Sequence, residues 1–123
     1  MKTRLMMGCI GLFMVACETP PVTEEALAEK EAAIRALIGD ASCDDLSSCA
    51  SMAFGAKPCG GPWEYLVYCV DSVDEAALQR QVDEYYELNE QYNMDNGIVS
   101  DCAEVGEPTL ELVDGECAML SYG

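Results

Sequence analysis

The chain has 123 residues, of which 23 are acidic, six basic and none histidine, giving a formal charge of −17. Charge of that sign argues against nucleic acid or an anionic lipid surface as a partner, and the missing imidazole removes the commonest general base. The length suits one domain with a modest core that crosslinks would reinforce.

Residues 1–16 read as an export signal: Lys2 and Arg4 form a basic start, residues 5–16 an apolar run, and Ala16 a small end. The run is too short to span the hydrocarbon core, for which a helix needs roughly 20 residues. It ends Met14-Val15-Ala16-Cys17, which resembles the lipobox of bacterial lipoprotein signal peptides. The resemblance covers only the first seventeen residues. It implies removal of residues 1–16 and acylation of Cys17 on its thiol and usually on its new amino group. Each buried methylene contributes about 0.8 kcal/mol, so several chains hold firmly where one binds marginally. By the same likeness, Glu18 is not the aspartate that commonly retains such proteins in the inner membrane. An outer-membrane location, facing the periplasm or the surface, is therefore expected. Losing Lys2 and Arg4 moves the formal charge from −17 to −19.

Of eight cysteines, Cys9 leaves with the signal and Cys17 would carry lipid. Cys43, Cys49, Cys59, Cys69, Cys102 and Cys117 remain, an even set suited to three disulfides in an oxidising compartment. Cys102 and Cys117 are near each other in sequence and form one plausible pair. With no CxxC spacing and no histidine, a structural zinc site is not expected.

Residues 17–22, with Pro20 and Pro21, make a lipidated tether whose stiff part reaches at most about 20 Å. Residues 23–123 follow as the acidic domain. Thr23 caps a helix that stops at Gly39 and carries the apolar stripe Leu27, Ile34, Leu37 and Ile38. Lys30 interrupts the stripe, which predicts exposed first turns and packed last turns. SCDDLSSC, residues 42–49, is turn chemistry. A strand over 51–57 puts Met52, Phe54 and Ala56 on one face. A second, over 63–70, is largely apolar on both faces and reads as central in a sheet. Ser72 and Glu75 have capping-box spacing before a helix with Leu78, Val82, Tyr85, Leu88 and Tyr92 on its apolar face. Asn89 falls within that face, as a ligand-orienting amide or, more commonly, a partner for nearby backbone. Asp114-Gly115 joins strands over 110–113 and 116–120 in a type I′ hairpin. The sum is an α+β fold: a small single disulfide-stabilised domain, an antiparallel sheet with two amphipathic helices.

The distinctive stretch is GAKPCGGPWEYLVYC, residues 55–69. It resembles a motif of small cysteine-containing exported bacterial proteins, and the likeness extends loosely to NGIVSDC, residues 96–102. The resemblance implies export and assigns no catalytic residues. Gly60 and Gly61 permit angles closed to other residues and Pro62 fixes the next, which gives a rigid turn suited to recognition. Lys57, Pro58, Gly60, Gly61, Trp63 and Tyr65 are the candidate binding loop. On one reading Lys57-Pro58-Cys59 is offered like an inhibitory loop with Trp63 and Tyr65 as anchors. On the other, a tight hairpin turn sends its aromatics into the core. Asn93, Asp95, Asn96 and Asp101 around Gly97 offer oxygen ligands for calcium, but the spacing fails the EF-hand pattern and favours a helix-ending turn. Carboxylate pairs such as Asp44 with Asp45 or Asp83 with Glu87 are expected by chance in so acidic a chain. Catalysis, cofactors and metals are therefore not expected. The reading is a lipid-anchored envelope protein, a non-catalytic binding or structural module. Its expected partners are the membrane, through the lipid, and a basic envelope or extracellular protein, unless the acidic surface serves only to keep a structural lipoprotein soluble. The alternative is an inhibitor of a cationic extracellular enzyme such as a lysozyme or protease.

Overall fold

The computed structural model describes residues 11–12 and 19–123. Apart from Gly11 and Leu12, the expected export signal and the anchor Cys17 lie outside the described residues. No helix among the described residues is long and apolar enough to cross a membrane.

The first helix, α1, spans Glu24–Ile38; the Thr23 hydroxyl accepts from the Ala26 N–H, and Glu24 and Glu25 face the positive end of the dipole. The last turns pack as expected through Ile34 and Ile38, but the first turn is not exposed. Leu27, in the first turn, is only 7% exposed, whereas Leu37 in the last turn is 45% exposed. Lys30 does not lift the first turns off the core, because its long stem lets the ammonium reach Glu84 at the rim while Leu27 stays packed.

The strands form two antiparallel hairpins. In the first, β1 (Cys49–Phe54) pairs with β2 (Glu64–Cys69), Met52 opposite Leu66 and Ala50 opposite Tyr68. In the second, β3 (Pro108–Val113) pairs with β4 (Glu116–Tyr122), with a register shift at Thr109/Leu110. Its turn is Asp114-Gly115, with φ of 50° and 78°, the left-handed pair that a type I′ hairpin needs. The sheet expected as one is thus two two-stranded sheets, and β2 is not central in either. Both of its faces are covered because the first hairpin lies between layers. Phe54, Leu66 and Tyr68 meet Leu27 and Ile34 of α1 and helix residues Leu78, Val82 and Tyr85 on one side. Cys69 and Val67 meet Ala41, Cys43 and Cys117 on the other. A strand largely apolar on both faces signals burial on two sides, and a layer supplies it as well as a neighbouring strand does.

The second helix, α2, spans Glu75–Asn96. Asp74 caps it, accepting from the Ala77 N–H, so the capping box expected at Ser72 and Glu75 is not used. The Ser72 hydroxyl donates to the Cys69 carbonyl, and Glu75 accepts from the Tyr68 hydroxyl at 2.8 Å. Burial first, and then this carboxylate, pushes the Tyr68 hydroxyl up to about 12. Tyr85, stacked on Phe54 with ring centroids 4.3 Å apart, is also raised, first by burial and then by Glu31 and Glu64. Arg35 ties α1 to β2 by donating to both Glu31 and Glu64.

Three disulfides join these pieces: Cys43–Cys69, Cys49–Cys117 and Cys59–Cys102. The expected count holds, but the plausible Cys102–Cys117 pair does not form. Cys117 faces inward from β4 onto β1, whereas Cys102 sits beyond the end of α2 beside the loop that carries Cys59. Nearness in sequence was outweighed by the direction in which each strand residue points.

Candidate functional site

The candidate loop is built outward from Gly55, which ends β1 with φ +83°. A Cβ there would lie 2.7 Å from Trp63 Cδ1, so both the angle and the close approach require glycine. Ala56 follows, buried, with its backbone polar groups beyond the ladder. Two amides one turn apart on α2 satisfy them: Asn89 Oδ1 accepts from the Ala56 N–H at 2.8 Å, and Asn93 Nδ2 donates to the Ala56 carbonyl at 2.7 Å. This pair pins the root of the loop to the helix. Burying either backbone group without a partner would cost about 1–3 kcal/mol.

Beyond the root, the Lys57 N–H donates to the Gly61 carbonyl, the Gly60 N–H to the Lys57 carbonyl and the Trp63 N–H to the Phe54 carbonyl. Gly60 and Gly61 take φ of 94° and 80° with open space where a side chain would begin. The Lys57 side chain turns inward and is only 8% exposed. Its ammonium donates to the Ala103 carbonyl at 2.6 Å, lies 3.9 Å from Asp101 and sits 5.4 Å from the centre of the Trp63 ring. Lys57 is therefore spent inside the loop and is not presented to an enzyme. Pro58, Gly60 and Gly61 are exposed, Trp63 is partly exposed, and Tyr65 is half-buried opposite Ala53.

Open clefts flank this ridge. One, of about 530 Å3, runs from Cys59–Pro62 to residues 102–106; another, of about 490 Å3, lies between Pro58 and the end of α2, lined by Tyr86, Glu90, Met94 and Ile98. Met94 and Val99 are 67% and 86% exposed. The loop face thus combines a fixed backbone with an apolar rim and carboxylates at Glu90, Asp101 and Glu104.

The calcium set does not converge. Asn93 is buried against Ala56, Asn96 Nδ2 donates to the Tyr92 carbonyl, Asp95 accepts from Gln91, and Asp101 accepts from the Ala103 N–H. One carboxylate of each pair is likewise occupied locally. Asp83 accepts from Gln79, while Asp45 caps the 3-10 turn Leu46–Ser48 and is held below the usual carboxylate range by the Ser47 N–H. The sulfurs of Cys43, Cys49 and Cys117 lie within 4.8 Å of one another. They belong to disulfides rather than to metal-binding thiolates.

The sequence reading missed the pairing of Asn89 with Asn93 and the part that Tyr86, Met94 and Ile98 play in the cleft. Two asparagines four residues apart on an apolar helix face were the available signal. Compared with known protein families, curated proteins and solved structures, the chain matches none.

Proposed function

We propose that the protein is a lipid-anchored, non-catalytic component of the bacterial cell envelope that binds a basic partner protein through its loop face. The observation that carries the reading is the pairing of a pinned backbone with an exposed apolar rim at Pro58, Met94 and Val99. A fixed loop loses little entropy on association, and apolar side chains that gain nothing from water gain from a partner. The acidic balance favours a basic partner. Three of the four basic residues after Cys17, namely Lys30, Arg35 and Lys57, are already paired with carboxylates. Lipid anchoring rests on the likeness of residues 14–17 to a lipobox, and absence of catalysis on a chain without histidine whose six domain cysteines are crosslinked. Inhibition of a cationic enzyme is a special case of the same binding. It would use Pro58 and the apolar rim, since Lys57 is turned away.

Two measurements test this. Intact mass of membrane-extracted protein should carry acyl mass on Cys17; a seventh free thiol after reduction and no acyl mass would contradict anchoring. A photo-crosslinking side chain at Met94 or Pro58 should give a discrete adduct in irradiated whole cells, and none when membranes are washed in high salt before irradiation. Equal adducts from the far end, at Glu116, or none from the loop face, would contradict the binding reading.

A further inference from the structure

The three disulfides differ in access. Cys69 is fully buried, Cys43 and Cys117 nearly so, and with half-buried Cys49 they pack in one cluster between the two hairpins. Cys59 and Cys102 are both exposed, and each lies in a loop. A thiolate must approach a sulfur atom in order to exchange with it, so access selects which bond reacts.

The segment held by the exposed bond, residues 98–106, has no secondary structure. Two of its hydrogen bonds are internal: the Cys102 N–H donates to Ser100 Oγ and the Ala103 N–H to Asp101 Oδ1. Ties to the rest of the described chain are the Ile98 N–H to Asn93 at the helix end and Lys57 to Ala103 and Asp101. Cys102 also holds φ +58°, in the left-handed region that a residue with a Cβ avoids, so the crosslink keeps a backbone the chain would otherwise relax. Both flanking clefts have Cys59 in their lining.

We infer that Cys59–Cys102 is a thiol-exchange site, reducible by a dithiol while the other two disulfides stay closed, and that its opening frees residues 98–106 and reshapes both clefts. A thiolate of the dithiol attacks one sulfur, forming a mixed disulfide and expelling the other cysteine as a thiolate, which takes a proton. The second thiol of the dithiol then closes its own disulfide and releases the remaining cysteine. Two electrons and two protons pass to the pair, and an oxidised dithiol returns them in the reverse direction. The inference stands without the binding reading.

Graded dithiothreitol, quenched with iodoacetamide and read by mass, tests the site on the whole protein. A species with two alkylated thiols, both on Cys59 and Cys102, should accumulate before any other cysteine reacts. In that species amide hydrogen exchange should quicken at 98–106 and 57–62 and hold steady in β1, β2 and α2. The variant with Cys59→Ser and Cys102→Ser should show the same exchange pattern with no reductant. Simultaneous appearance of six thiols, a first pair containing Cys43, Cys49, Cys69 or Cys117, or unchanged exchange at 98–106 would overturn the inference.

Discussion

The two ends of the first hairpin are held in opposite ways. At its Cys49/Cys69 end, two adjacent disulfides lie among Ala41, Ile38 and Val67, a covalent core between two sheets too small to bury much apolar surface alone. At its Phe54/Glu64 end, the chain is held by two asparagine amides, an inward lysine and one solvent-facing disulfide. The first end can only fail by unfolding. The second has polar ties that can be undone one at a time, which suits a surface that meets a partner.

Removing crosslinks should separate these ends most clearly. Cys49→Ser with Cys117→Ser opens a loop of 68 residues, and the loss should approach the upper part of the roughly 2–5 kcal/mol seen for native disulfides. Cys59→Ser with Cys102→Ser opens 43 residues, yet it should cost less, because residues 98–106 gain freedom in the folded state as well. Denaturant melts of the two variants read the difference; equal losses would mean that both crosslinks serve one cooperative unit.

Core truncation comes next. Leu27→Ala should cost about 2–5 kcal/mol and Leu37→Ala only about 0.5, reversing the order predicted from Lys30. Asn89→Ala should cost about 1–3 kcal/mol by leaving the Ala56 N–H without a partner. Its hydrogen exchange should rise at Ala56 and Lys57 while α1 stays protected. If protection at Ala56 is unchanged, the amides do not pin the loop.

The smallest effect is confined to alkali. Tyr68 and Tyr85 ionise less readily folded than unfolded, so both stabilise fully below the ordinary phenol value of 10.0. That contribution falls away as pH rises through about 12 for Tyr68. Tyr68→Phe should flatten the fall in stability above pH 10.0 and cost about 0.5–1.5 kcal/mol at neutral pH for the lost hydrogen bond to Glu75. An unchanged alkaline slope would assign the effect elsewhere.

What the sequence disclosed follows the same division. Helices, caps at Thr23 and Gly39, the Asp114-Gly115 turn and the even cysteine set rest on local chemistry, and the structure has them. Capping of α2 moved from Ser72 to Asp74 because both are capping residues two positions apart, and only tertiary packing diverts Glu75 to Tyr68. Strand β1 stops at Phe54 rather than continuing past Ala56, since the alternation of Met52, Phe54 and Ala56 hides the break made by Gly55. At the site, the glycines and Cys59 were legible as a rigid turn. The inward Lys57 was not, because its partners Ala103 and Asp101 lie more than forty residues away. The disulfide pairing was open for the same reason.

The most direct test of this account is the disulfide map of the unreduced protein, digested by a protease that cuts at acidic residues. Asp44 and Asp45 separate Cys43 from Cys49, a second digestion that cuts after Phe54 separates Cys49 from Cys59, Glu64 separates Cys59 from Cys69, and Glu104, Glu107 and Glu111 separate Cys102 from Cys117. Linked peptides joining Cys43 to Cys69, Cys49 to Cys117 and Cys59 to Cys102 are predicted. A peptide linking Cys102 to Cys117 would dissolve both the covalent core and the loop latch, and with them the contrast on which the functional reading rests.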